Sequence, residues 1–141
     1  MTESKKIFLD TTPIIYLLDE DVNYAKKVEK IFTEILKSDK SMITSTITCT
    51  EYLIYPYRTG NLEKVNVFFE FLTECSIPML PINVEIAKRA ASIRAEYKDF
   101  KTMDALQLAV AYENQCNLFL TNDKQLRQFK NLKCITVDEW K

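Results

Sequence analysis

The chain has no histidine, and Gly60 is the single glycine in its 141 residues. Without histidine there is no Ser-His-Asp or Cys-His nucleophile and no His-ligated zinc or iron centre. One glycine excludes both a P-loop and a dinucleotide-binding glycine fingerprint. Cys49, Cys75, Cys116 and Cys134 are far apart and form no C-x-x-C pair. They read as buried small hydrophobes in a reducing cytosol rather than as metal or redox groups. No run of ~18 apolar residues is present to span a bilayer. The opening MTESKKIFLD carries two lysines, but its apolar run is too short for a signal-peptide core. A cytoplasmic protein with no membrane association is expected. Its chemistry must come from carboxylates, hydroxyls, amides, lysines and arginines.

With 47% apolar and 28% charged residues, the composition is that of a folded globular protein. The length fits one domain, residues 1–141, and suffices for a core without disulfide or metal staples. Lys6 to Leu9 reads as a strand, with Thr12 as N-cap and Pro13 as the first residue of a following helix. Val28, Ile31, Phe32, Ile35 and Leu36 recur at helical spacing over about Val22 to Lys37. Met42 to Ser45 is a second strand, and a helix from Thr46 to Tyr57 is closed by Pro56 and Gly60. Leu62, Val65, Phe69 and Leu72 define another helical face. Ile77 to Ile82 is extended, but Pro78 and Pro81 confine it to a sheet edge at most. Ile86, Ala90, Ile93 and Tyr97 mark an amphipathic helix. Ala105 to Tyr112 is apolar except for Gln107, which predicts a helix buried on more than one side. Leu118 to Thr121 and Cys134 to Val137 read as the last strands. This alternation predicts an α/β fold with a mostly parallel sheet.

Four acids stand out by position. Asp10 ends the first strand, and Asp123 follows the strand Leu118 to Thr121 after Asn122. Glu51 lies early in the helix leaving the second strand, and Asp104 in the first turn of the buried helix. In open α/β sheets, ligands bind in the crevice outside the carboxyl ends of the strands. Each acid also has a purely local reading. Asp10 would cap a turn, and Thr48-Cys49-Thr50-Glu51 fits a capping box. Asp104, two residues after a candidate cap at Thr102, would complement the helix dipole, and Asp123 would cap Lys124 to Phe129. One shared site explains all four together. Crowded carboxylates repel and raise each other's pKa unless a cation compensates. All-oxygen ligation suits Mg²⁺ or Mn²⁺, and one or two such ions serve phosphodiester hydrolysis.

At these residues the chain resembles the PIN domains, and among them the VapC-type toxins of toxin–antitoxin pairs. The matching stretches are Ile7 to Thr12, Ser45 to Glu51, Asp104 to Ala111 and Phe119 to Asp123, in the family's order. The resemblance implies a three-layer α/β/α sandwich around a mostly parallel central sheet. It also implies Mg²⁺- or Mn²⁺-dependent endoribonuclease activity on RNA, an antitoxin partner and a homodimer. Carried over, Asp10, Glu51, Asp104 and Asp123 are the catalytic, metal-binding quartet, and Thr11 and Thr121 support the acids. Thr12 departs from the Asn or Ser common in the first motif, and Gln107 stands where His is frequent. Asp19, Glu20 and Asp21 match no motif and read as a solvated loop.

A net charge of −1 is not a broad basic footprint for nucleic acid, although the four acids account for that deficit. Lys88, Arg89, Arg94, Lys98 and Lys101 concentrate positive charge before Asp104 and are candidate phosphate contacts. Tyr52, Tyr55, Tyr57, Phe68, Phe69 and Phe71 crowd two helices and predict an interface. A haloacid-dehalogenase-type phosphatase would need a second Asp where Thr12 stands. A receiver domain would need paired acids at the first strand that are absent. The non-enzymatic alternative is an inactive PIN-like domain serving as a protein- or RNA-binding module, which usually lacks one of the acids.

Overall fold

The strands are short, four or five residues in the central part of the sheet and two at one edge, and the inner ones are buried on both faces. The computed structural model describes residues 5–141, so the first four residues of the N-terminal stretch read above lie outside the described residues. The elements are β1 (Lys6–Leu9), α1 (Thr11–Leu18), α2 (Ala25–Leu36), β2 (Ser41–Ser45), α3 (Thr46–Thr59), α4 (Leu62–Glu74) and β3 (Met79–Leu80). They continue with α5 (Val84–Glu96), α6 (Thr102–Glu113), β4 (Leu118–Thr121) and β5 (Lys133–Thr136), with short 3₁₀ turns at Lys124–Gln128 and Val137–Glu139.

All strand pairings are parallel, in the order β3-β2-β1-β4-β5. Alternate side chains go to opposite faces, as the pleat requires. Ile7, Leu9, Met42 and Leu120 join α1 to α4 in one core, while Phe8, Ile43, Phe119 and Cys134 join α5 and α6 in the other. This is the expected α/β/α sandwich, with a wholly parallel sheet. Phe8 and Phe119 stack at 5.1 Å with planes 6° apart, pinning the register of β1 against β4. A fully buried side chain of this kind contributes roughly 1.5–3 kcal/mol.

Several local expectations need correction. The N-cap of α1 is Asp10, not Thr12, because Asp10 still pairs through its N–H with the Leu120 carbonyl at 2.9 Å and the chain turns immediately after. Leu36 is about half exposed, since α2 turns its Val28–Ile31–Phe32–Ile35 stripe inward and Leu36 falls beyond that stripe's edge. The buried face of α4 is Phe68 and Leu72, while Leu62 and Phe69 are exposed. Two apolar faces compete on this helix, and Tyr52 decides between them by stacking on Phe68 at 4.9 Å. Pro-flanked residues 77–82 do supply a two-residue edge strand, β3, against β2. Gly60 closes α3 in the left-handed region at φ 67°, where glycine has no Cβ clash. With no second glycine available, Glu20, Ser76 and Gln115 take positive φ after α1, α4 and α6.

Candidate active site

The sheet order creates one place where neighbouring strands send their chains in opposite directions. From β1 the chain runs outward to β2 and β3, then returns on the other side to β4 and β5. The crevice between the carboxyl ends of β1 and β4 is the topological switch point. Asp10 follows β1, and Asp123 follows β4 by one residue. The second turn of α3, with Glu51, and the first turn of α6, with Asp104, also reach this crevice.

Asp10, Glu51, Asp104 and Asp123 all line one cleft of about 400 Å³, together with Thr11, Thr12, Ile15, Lys101, Thr102 and Met103. Asp10 is its buried member. Its Oδ1 accepts from the Thr11 N–H at 2.9 Å and its Oδ2 from the Thr121 hydroxyl at 2.8 Å. Burial dominates and pushes its pKa up from 3.8 to about 6, opposed by those two hydrogen bonds and reinforced by Asp104 and Glu51. Asp104 is also held above the ordinary carboxylate range, first by burial and then by Asp123 and Glu51, with Lys101 pulling the other way. Asp10 and Asp104 therefore each feel the charge of neighbouring acids of the set.

The other contacts separate local from shared roles. Asp123 does cap the turn after it, its Oδ1 accepting from Gln125 N–H at 3.0 Å. Its own N–H donates to the Thr121 hydroxyl at 3.1 Å, so Thr121 ties Asp123 to Asp10. The capping-box reading of Glu51 fails: Ser45 caps α3, which makes Glu51 the sixth helical residue and buries Thr48 as the third. Glu51 Oε1 instead accepts from the Thr11 hydroxyl at 2.6 Å. Thr102 is the first residue of α6, not its cap; Lys101 holds that position without a side-chain bond. Thr12 lines the cleft beside Asp10.

A buried polar cluster adjoins Thr11 and Glu51, and motif spacing in the sequence does not reveal it. Thr44, Ser45, Thr48 and Gln107 are fully buried and connected by hydroxyl–hydroxyl and amide–hydroxyl bonds. The one signal that marks it is Gln107, a lone polar residue in an apolar helix. Of the five basic residues proposed as phosphate contacts, Lys101 alone lines the cleft. Arg89 is paired with Glu113 at 2.7 Å, Lys88 faces Glu85, and Arg94 donates to Thr102 at 3.0 Å. Asp19 is no free loop acid: it accepts from Tyr52 and Lys64, joining α1 to α3 and α4.

The donor set fits a hard divalent cation. Every candidate ligand is a carboxylate oxygen, and Glu51 keeps Oε2 clear of the Thr11 bond. Among the described residues no three His, Cys, Asp or Glu side chains are already drawn together as a metal-holding group. The four acids thus share a cleft without forming a closed cluster, and Mg²⁺ in general takes only one or two protein carboxylates. A larger concavity of about 570 Å³ lies elsewhere, along α2 and the C-terminus. Its acids are committed, Asp138 to Lys27 and Glu34 to the Trp140 indole, so it lacks that chemistry. No helix among the described residues is long and apolar enough to cross a membrane.

Known proteins resemble this chain in sequence and in fold. The chain is 24% identical over 140 residues to ribonuclease VapC1 of Aquifex aeolicus, covering 97% of this chain and 94% of that protein. The fold superposes on a chain of DNA-bound VapBC from Salmonella typhimurium with TM-score 0.75 at 19% identity, covering 94% of this chain and 98% of that one. It also matches a chain of a toxin–antitoxin complex from Klebsiella pneumoniae, with TM-score 0.70 at 19% identity and coverage of 93% and 97%. The family model of the PIN domain matches residues 7–132. That span runs from β1 to the residue before β5 and takes in the switch-point crevice with all four acids: the chain belongs to the PIN-domain family.

Proposed function

We propose that the protein is a metal-dependent endoribonuclease that hydrolyses RNA phosphodiester bonds, and the toxin of a type II toxin–antitoxin pair. The observation that carries this reading is the convergence of four carboxylates on the switch-point cleft, with Asp10 desolvated at its base. A carboxyl group held near pKa 6 by burial and like charge is poised for a compensating cation. Family membership and the relative named a ribonuclease support RNA as substrate. The solved complexes among the structural relatives support an antitoxin partner.

Asp10, Glu51, Asp104 and Asp123 would hold Mg²⁺ or Mn²⁺, which supplies Lewis acidity and charge neutralisation at the reacting phosphate. The protein's own part is preorganisation. Thr121 keeps its proton on Asp10 Oδ2 while the Thr11 N–H fixes Oδ1, so the carboxylate cannot rotate. Thr11 does the same for one oxygen of Glu51. Lys101 at the rim is placed to meet a backbone phosphate. In this reading residues 1–141 form one nuclease domain, active in the cytoplasm as a homodimer.

Purified protein incubated with total RNA should give internal cleavage only when Mg²⁺ or Mn²⁺ is present. Asp10→Asn should abolish it. Cleavage that persists with chelator, or in the variant, would remove the mechanism.

A further inference from the structure

Gln107 is 1% exposed in the middle of α6, on the helix that also carries Asp104 three residues earlier, one turn away on the same side. Its amide reaches three elements. Oε1 accepts from the Ser45 hydroxyl, Nε2 donates to Thr48 at 2.8 Å, and Nε2 also lies 3.5 Å from the Thr11 hydroxyl. Ser45 ends β2 and caps α3, Thr48 lies in the first turn of α3, which carries Glu51, and Thr11 adjoins Asp10. One side chain thus bridges the segments of three of the four acids.

Proton counting fixes the direction of this network. Ser45 Oγ accepts from the Ile47 N–H at 3.1 Å and gives its own proton to Gln107 Oε1, so the amide N–H groups face the threonines. Thr44 lies 2.8 Å from the Leu9 carbonyl and Thr11 lies 2.6 Å from the Glu51 carboxylate. Both partners only accept, so each takes the single proton of its hydroxyl. The Thr48 proton then goes to the Thr44 oxygen 2.8 Å away, the oxygens of Thr11 and Thr48 are left to receive, and the Gln107 amide, with two N–H groups, supplies them. No buried side-chain N or O atom among the described residues lacks a partner.

We infer that Gln107 is a positioning residue: its amide sets the donor direction of the Thr11–Thr48 hydroxyls, aims the Thr11 proton at Glu51, and holds three acid-bearing segments in register. The inference rests on the metal-dependent nuclease reading above. Polarised chains of this kind act as a unit, so the effect should appear in cation binding as well as in turnover.

The test compares Gln107→Met, similar in size but without N–H groups, with Gln107→His, which has one nitrogen to accept from Ser45 and one N–H to donate. Mn²⁺ affinity is measured by calorimetry without RNA, alongside kcat and KM for RNA cleavage. Gln107→Met should weaken Mn²⁺ binding about ten-fold and lower kcat at least ten-fold with KM nearly unchanged. Gln107→His should stay within a few-fold of wild type on both. Combining Gln107→Met with Thr11→Val should give less than the product of the single effects, because both act through the same Glu51 contact. If folded Gln107→Met has a lowered Tm but wild-type Mn²⁺ affinity and kcat, the residue is merely structural and the inference fails. Multiplicative effects of the two substitutions on Mn²⁺ affinity would overturn it equally. Wild-type protein that neither binds Mn²⁺ nor cleaves RNA would instead overturn the nuclease reading, and this inference with it.

Discussion

The Thr121 hydroxyl donates to Asp10 Oδ2 at 2.8 Å and receives the Asp123 N–H at 3.1 Å. A single fully buried hydroxyl at the end of β4 thus couples the acids on both sides of the switch point. Thr121→Val keeps the side chain's shape and removes both bonds. Because the Thr121 bond lowers the Asp10 pKa, its loss should move that pKa upward from about 6 in the metal-free protein. Carbon-13 NMR titration of the aspartate carboxyls, with chelator present, reads this directly. Stability should fall by about 1–3 kcal/mol, the usual consequence of leaving buried polar groups unpaired.

The raised pKa of Asp10 also makes a signed prediction about stability. The folded state binds this proton more tightly than the unfolded chain, whose carboxyl titrates near 3.8. The resulting stabilisation is complete below about pH 4 and is lost as pH rises through about 6. Asp104, raised for the same reasons, adds in the same direction. Metal-free protein should therefore melt at a higher temperature at pH 5 than at pH 7.5. The whole Asp10 contribution is of order 3 kcal/mol, at about 1.4 kcal/mol per unit of displacement, and roughly half of it is lost between pH 5 and pH 7.5. Asp10→Asn should flatten much of this dependence and be at least as stable as wild type at pH 7.5. Steeper melting losses with pH in Asp10→Asn than in wild type would contradict the strain.

Mn²⁺ added at pH 7.5 binds the folded state alone and should raise the wild-type Tm. The rise should be smaller in Asp10→Asn, which has lost one ligand. Equal shifts in the two proteins would remove Asp10 from the cation site.

Lys101 and Arg89 should differ in kind. Lys101 lines the cleft and offsets the charge around Asp104, whereas Arg89 is engaged by Glu113. Lys101→Ala should raise KM for RNA several-fold with little change in kcat, and weaken the salt dependence of binding by about one phosphate contact. Arg89→Ala should leave KM alone. Steady-state kinetics at two salt concentrations distinguish the outcomes.

The aromatic residues of α3 and α4 divide into buried and exposed sets. Tyr52 and Phe68 are buried and stacked, so they serve the fold. Tyr55 and Tyr57 are 62% and 60% exposed, with Ile54, Leu62 and Phe69 also exposed on the same helix pair. In the proposed homodimer these bare residues would form the contact surface. The wild type should run as a dimer by light scattering at micromolar concentration, and Tyr55→Glu with Phe69→Glu should run as a monomer with little loss of Tm. A monomeric wild type would exclude a dimer through this face.

Local sequence determined much of this protein. The alternation of short apolar runs with helical periodicity specified the strands, and the position of an acid just beyond a strand or early in a helix marked Asp10, Glu51, Asp104 and Asp123. Such signals are readable because strand ends and first turns are local features, set by neighbours within a few residues. Tertiary structure decided what depends on strand order. Thr48 and Glu51 have capping-box spacing, yet Ser45 begins the helix, so the same residues bond to Thr11 some forty positions away. Tyr52 chose which apolar face of α4 went inward. Gln107 stood out in the sequence as polar, but its partners lie 59 to 96 residues distant. Periodicity reports that a position is buried. Only the packing of β1 between β2 and β4 brings a hydroxyl or carboxylate to that position and turns a buried amide into part of a site.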